Sequence, residues 1–123
     1  MKIPENYLPV MPYLLINGAY PFMEFGKNIF GATQQYLVER SPGVVMHAEM
    51  RIEQAVIMFA DATETYKYFP GSIFLYVSDA DAIHQRVQDA GLELLIPLED
   101  RDYGRGFGFA DKFGNNWWVN TPA

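Results

Sequence analysis

The chain has 123 residues, half of them hydrophobic and 15% aromatic, which is enough for a genuine core in one domain or two merged modules. Nine basic against fifteen acidic residues give a net charge of −6, which argues against nucleic acid as a partner, because phosphate neutralisation needs clustered Lys and Arg. The absence of cysteine excludes disulfides, thiolate metal sites and cysteine nucleophiles.

Residues 1–11, with Pro4 and Pro9, read as an extended arm without the apolar core of a signal peptide. No apolar run approaches the roughly 20 residues of a membrane helix, so the expectation is a soluble cytoplasmic protein with no membrane partner. Pro12 to Ile16 read as a strand. Asn17 is the expected N-cap of a helix from Ala19 to Ile29, with Phe22, Phe25 and Ile29 on one face and Gly31 as its stop. Thr33 to Glu39 form a second strand, and Ser41-Pro42-Gly43 a turn. Val44 to Ile52 and Ala55 to Ala60 form a hairpin across Glu53-Gln54. The aromatic connector 61–71, with Tyr66, Tyr68 and Phe69, is either a lid or a dimer contact.

The pattern then repeats. Ser72 to Val77 read as a strand, and Asp79 caps a helix with Ala82, Val87 and Ala90 buried. His84 sits mid-helix in a charged stretch and is expected to face water. From the last apolar strand residue to the terminating glycine, the spacing is 15 residues in the first half (Ile16 to Gly31) and 14 in the second (Val77 to Gly91). Glu93 to Ile96 form a strand ended by Pro97, and Glu99 to Gly106 a charged loop. Phe107 to Ala110 and Asn116 to Asn120 make a last hairpin through Asp111-Lys112-Phe113-Gly114. The fold expected is α+β: two βαβββ modules, about 11–60 and 72–121 of a single domain 1–123, forming a curved mixed sheet around a cavity with the helices outside.

Strand alternation assigns the cavity lining. With the hairpin turning at Glu53-Gln54, Arg51 faces Val56, Glu49 faces Met58 and His47 faces Ala60. His47, Glu49, Arg51 and Met58 then point inward, and Met46, Ala48, Met50 and Ile52 pack under helices. By the same period Ser72, Phe74 and Tyr76 face the cavity, as do Asn116, Trp118 and Asn120. The polar trio either fixes a polar group of a small ligand stacked on Phe74, Tyr76 and Trp118, or pairs within itself at a sheet rim. Glu49 is a candidate general base if apolar neighbours raise its pKa. Tyr103 and Arg105 either close over a ligand or are ordinary surface residues.

Several motifs carry a family resemblance: Pro12-Tyr13-Leu14, Ile29-Phe30-Gly31-Ala32, Val45-Met46-His47-Ala48-Glu49-Met50-Arg51-Ile52, Leu75-Tyr76-Val77-Ser78-Asp79-Ala80-Asp81-Ala82 and Asp111-Lys112-Phe113-Gly114-Asn115-Asn116-Trp117. In order and spacing they resemble the vicinal-oxygen-chelate superfamily of glyoxalase I, bleomycin-resistance proteins and extradiol dioxygenases, and within it the PhnB-like branch. The resemblance implies paired βαβββ modules and commonly a homodimer. It also implies four metal-ligand positions, usually His, Glu or Gln, which fall here on Pro12, Met58, Ser72 and Trp118. That set suits no ordinary divalent metal, so neither metal nor cofactor is expected. The leading expectation is a small-molecule binding protein with a degenerate metal site, sequestering its ligand as bleomycin-resistance proteins do. The alternatives are an enzyme of glyoxalase, isomerase or dioxygenase type, and a dimeric protein with a vestigial cavity. No glycine-rich turn for S-adenosylmethionine is present, so the ubiquinone methyltransferase activity attributed to some similar sequences is not expected.

Overall fold

Hydrophobic patterning resolves into two short units of strands and one helix each in the computed structural model, which describes all 123 residues and divides into units 1–70 and 71–123. The first unit contains β1 (Tyr13–Ile16), α1 (Ala19–Phe30), β2 (Thr33–Ser41), β3 (Val44–Ile52) and β4 (Ala55–Asp61). Its sheet order is β1-β4-β3-β2, with β1 and β4 parallel and the other pairs antiparallel. The second unit contains β5 (Ser72–Tyr76), α2 (Ala80–Asp89), β6 (Glu93–Arg101), β7 (Gly104–Ala110) and β8 (Asn116–Pro122). Its order, β5-β8-β7-β6, repeats the same topology with β5 and β8 parallel. The fold class is therefore α+β, built of two βαβββ modules. No helix is long and apolar enough to cross a membrane.

In the first unit α1 buries Ala19, Phe22, Met23, Gly26, Ile29 and Phe30. Gly26 approaches so closely that a Cβ there would strike the Met50 side chain, which places Met50 on the helix side of β3. Gly31 ends the helix in the left-handed region at φ 68°, with its N–H on the Lys27 carbonyl and the Ala32 N–H on that of Gly26. The hairpin register is as expected: Ile52 opposite Ala55, Arg51 opposite Val56 and Glu49 opposite Met58.

The first unit corrects two expectations. Asn17 does not cap α1. Gly18 holds that position at φ 94°, and the Asp61 carboxylate accepts from the Gly18 and Ala19 N–H groups at 3.2 and 2.8 Å. Met46 does not lie under the helix but is exposed, while Val45 is buried. The register of β2 and β3 steps from Val38–His47 to Glu39–Val45, so Met46 is an extra residue that reverses the alternation. The Val45 N–H at this bulge donates to the other Asp61 oxygen at 2.7 Å.

In the second unit Asp79 caps α2 as expected, accepting from the Ala82 N–H. The buried face, however, is Ala80, Ile83 and Val87; Ala82 is only half-buried and Ala90 is exposed beyond the helix end. His84 does not simply face water, since its ring meets the Phe107 ring edge-on at 4.9 Å. Nor does Pro97 end its strand: β6 runs on to Arg101 as an edge strand, where irregular register on either side of Ile96 accommodates an imino acid. Residues 99–106 are accordingly the end of β6, a tight turn and the start of β7, not a loop.

Candidate functional site

Each unit presents a polar or aromatic sheet face on the side away from its helix. In the first unit that face carries Tyr13 on β1, His47, Glu49 and Arg51 on β3, and Met58 on β4, because Leu14, Ile16, Ala48, Met50 and Ile52 take the buried positions between them. Glu49 is the centre of this face and is only 3% exposed. Its Oε2 lies 2.7 Å from His47 Nε2. Its Oε1 accepts from the Tyr7 hydroxyl at 2.7 Å and from Gln35 Nε2 at 3.1 Å. A carboxylate only accepts, so Nε2 carries the imidazole proton, and in a neutral ring Nδ1 then accepts from the Tyr13 hydroxyl at 2.9 Å. The Tyr13 ring also stacks on His47 at 5.4 Å between centroids.

Burial pushes the Glu49 carboxyl up, but the hydrogen bonds from His47, Tyr7 and Gln35 outweigh it and hold the group below its ordinary value. The raised pKa required of a general base is thus not what this environment produces. A group lowered on folding adds stability above its unfolded value and loses it as pH falls through the folded value. Glu49→Gln should therefore flatten the acid limb of stability below about pH 4.5, measured by urea unfolding across pH. An acid limb as steep as that of the parent chain would refute this role.

Arg51 does not pair with Glu49. It reaches the Asn6 backbone carbonyl at 3.4 Å, and Gln35 Nε2 reaches the same oxygen at 3.3 Å. Tyr7, Gln35 and Tyr13 are the members of this cluster that sequence reasoning missed. Tyr13 and Gln35 were on expected strands, but Tyr7 lies 42 residues from its partner in a segment with no periodicity. A cavity of about 340 Å³ opens beside Tyr13, lined also by Leu15, Arg40, Met46 and Tyr66.

The corresponding face of the second unit is aromatic. Ile73, Leu75 and Val77 are buried, whereas Phe74 and Tyr76 stand 50% and 49% exposed with their rings edge-on at 5.1 Å. Tyr103, at the β6–β7 turn, lies 6.3 Å from Phe74 and is also half exposed. The glycines of β7 make the floor: a Cβ on Gly108 would strike the Trp118 ring, and one on Gly106 the Asn120 side chain. Trp118 is further held by its indole N–H, which donates to Ser72 Oγ at 2.8 Å. Asn120 is buried, and its Oδ1 has no hydrogen-bond partner. Asn116 shares this face and is exposed.

Arg105 is placed differently. It alternates with the glycines and is clamped by Asp81 at 2.8 Å and Asp100 at 3.3 Å, and these hydrogen bonds hold its guanidinium above the ordinary value. It is a surface ion-pair residue, and of the two residues considered for closing over a ligand only Tyr103 joins the aromatic face.

Pro12, Met58, Ser72 and Trp118, the positions at which the resemblance places metal ligands, do not offer a metal donor set. Within the first unit, the Pro12 carbonyl accepts from the Met58 N–H, leaving only a thioether; within the second, the Ser72 hydroxyl is engaged by an indole that cannot ligate. No group of three His, Asp or Glu side chains converges elsewhere.

Solved structures that share this fold include the following three. TioX from Micromonospora sp. ML1 matches 95% of this chain and 100% of its own at TM-score 0.80 and 18% identity. TnmS3, an antibiotic binding protein from Streptomyces sp. CB03234, matches 95% and 100% at TM-score 0.73 and 17% identity. The PhnB protein from Bacillus cereus matches 93% and 99% at TM-score 0.69 and 19% identity. Residues 22–119 match the family model described as Glyoxalase/Bleomycin resistance protein/Dioxygenase superfamily, and the chain belongs to that superfamily.

Proposed function

We propose that this protein binds a small aromatic molecule without a metal, in the manner of antibiotic-sequestering members of its superfamily. The observation that carries this reading is the exposed aromatic face of the second unit. Phe74, Tyr76 and Tyr103 remain half exposed around Trp118, with Phe74 in ring contact with both tyrosines, and a contiguous exposed aromatic patch of this kind marks a binding surface where single exposed rings would not. The bare glycine floor under Trp118 and the anchored indole keep this surface open and flat, which suits stacking on a planar ligand. The similarity in fold to an antibiotic binding protein supports the same reading.

The test is a fluorescence titration with bleomycin and a panel of planar aromatic antibiotics, in buffer with and without EDTA. Trp117 is fully buried and serves as an internal reference, so a ligand on this face quenches Trp118 selectively. The expected result is quenching by at least one compound that is unaffected by EDTA. Trp118→Ala should weaken that compound roughly tenfold, about 1.4 kcal/mol, through lost stacking and contact area. Unchanged affinity in Trp118→Ala, or binding that EDTA abolishes, would remove the basis of the proposal.

A further inference from the structure

We propose that the Glu49 cluster is a second ligand site that the chain fills with its own arm, and that a phenol bearing a carbonyl acceptor enters by displacing it. The inference rests on the reading of the protein as a small-molecule binder, and it adds a ligand class and a built-in gate.

The fixed part of the site is on the sheet. Glu49, His47 and Arg51 share one face of β3, and Gln35 projects from the neighbouring β2. His47 and Gln35 each donate to Glu49 from within the sheet. The remaining donor to the carboxylate, the Tyr7 hydroxyl, comes from outside it. The same is true of the acceptor that Arg51 and Gln35 share, the carbonyl of Asn6. Two adjacent residues of the arm thus supply one phenolic hydroxyl and one carbonyl oxygen to a polar site built by other elements.

The arm is lightly held. It adds no strand to the sheet, and its residues are exposed except for partial cover of Ile3, Tyr7 and Met11. Its two contacts to Asn6 O are long, at 3.3 and 3.4 Å. A segment attached at so few points opens at low cost compared with the sheet beneath it. Opening would leave the Glu49 carboxylate short of the Tyr7 donor and the Arg51 guanidinium short of the Asn6 acceptor, which favours a replacement of the same chemistry. The pair of charges also selects: Glu49 disfavours a carboxylate ligand and Arg51 an ammonium, whereas a neutral hydroxyl and carbonyl satisfy both. The rings of Tyr13 and Tyr36, 5.4 and 6.0 Å from His47, flank the position with aromatic surface.

The site then binds with an affinity reduced by the fraction of molecules whose arm is open. The probe for this is 4-hydroxybenzamide, titrated into the full chain and followed by backbone NMR. On saturation, the amide signals of residues 4–8 should move to unstructured positions. Tyr7→Phe, which removes the competing hydroxyl but keeps the ring, should bind the probe about tenfold more tightly. Glu49→Gln should weaken it at least tenfold in either background, and Arg51→Met, which leaves Glu49 and its donors in place, should abolish the preference for 4-hydroxybenzamide over phenol. Binding with the arm signals unmoved would overturn the proposal, as would no binding by Tyr7→Phe at millimolar probe. Neither outcome touches the Trp118 titration, so the two readings fail separately.

Discussion

Asp111→Ala should cost about 3 kcal/mol of stability or more and lower the melting temperature by roughly 10 °C. The Asp111 carboxylate organises the last turn of the second unit. One oxygen accepts from the Phe113 and Asn115 N–H groups at 2.7 and 2.9 Å. The other accepts from Asn115 Nδ2 at 2.8 Å and from the indole N–H of Trp117 at 2.9 Å. Asn115, held in this way, receives the Gly71 N–H on its own side-chain oxygen at 2.8 Å and so ties the turn to the start of β5. Removing the carboxylate leaves donors without acceptors, among them the indole of the fully buried Trp117. Asp111→Asn retains one oxygen and should recover about half of the loss. Thermal and urea unfolding measure both, and a change below about 1 kcal/mol in the alanine variant would show that water replaces the carboxylate.

Asp61→Ala should destabilise the first unit by about 2 kcal/mol, because a single side chain serves two irregularities. Its Oδ1 accepts from the first residues of α1, where neither Asn17 nor Gly18 supplies a side-chain cap. Its Oδ2 holds the Val45 N–H at the β3 bulge. The bulge decides which of Val45 and Met46 is buried, so its loss also bears on where β3 places its outward side chains. Hydrogen exchange should speed up at Gly18, Ala19 and Val45 together. Fast exchange at the helix start alone would mean that the bulge is held by the sheet and not by Asp61.

Local rules determined much of this protein from its sequence. Alternation in Ile73-Phe74-Leu75-Tyr76 sorted buried from exposed residues on β5 correctly, because a period of two admits only two faces and one of them was uniformly aliphatic. The Glu53-Gln54 turn placed Glu49 opposite Met58 by the same logic, since a one-residue slip would bury the wrong set. The repeat of strand, helix and three strands was legible because both halves carry the same punctuation, Gly31 and Gly91, at left-handed φ of 68° and 69°.

What only the tertiary structure decided depends on partners distant along the chain. Met46 escapes the helix side because the register against β2 shifts by one residue, and nothing local to Val45-Met46-His47 announces a bulge. Gly104-Arg105-Gly106 reads as the end of a charged loop because glycine weakens isolated strands; in the fold these glycines belong to β7 and are required, since the Thr121 backbone lies directly on Gly104 and the Asn120 side chain on Gly106. Tyr7 joins the Glu49 cluster across 42 residues from a segment without periodicity. Sequence patterns report which face a residue takes within its own element. The chemistry of the Glu49 site arises from side chains that meet only when β2, β3 and the arm are brought together, and no local period encodes that meeting.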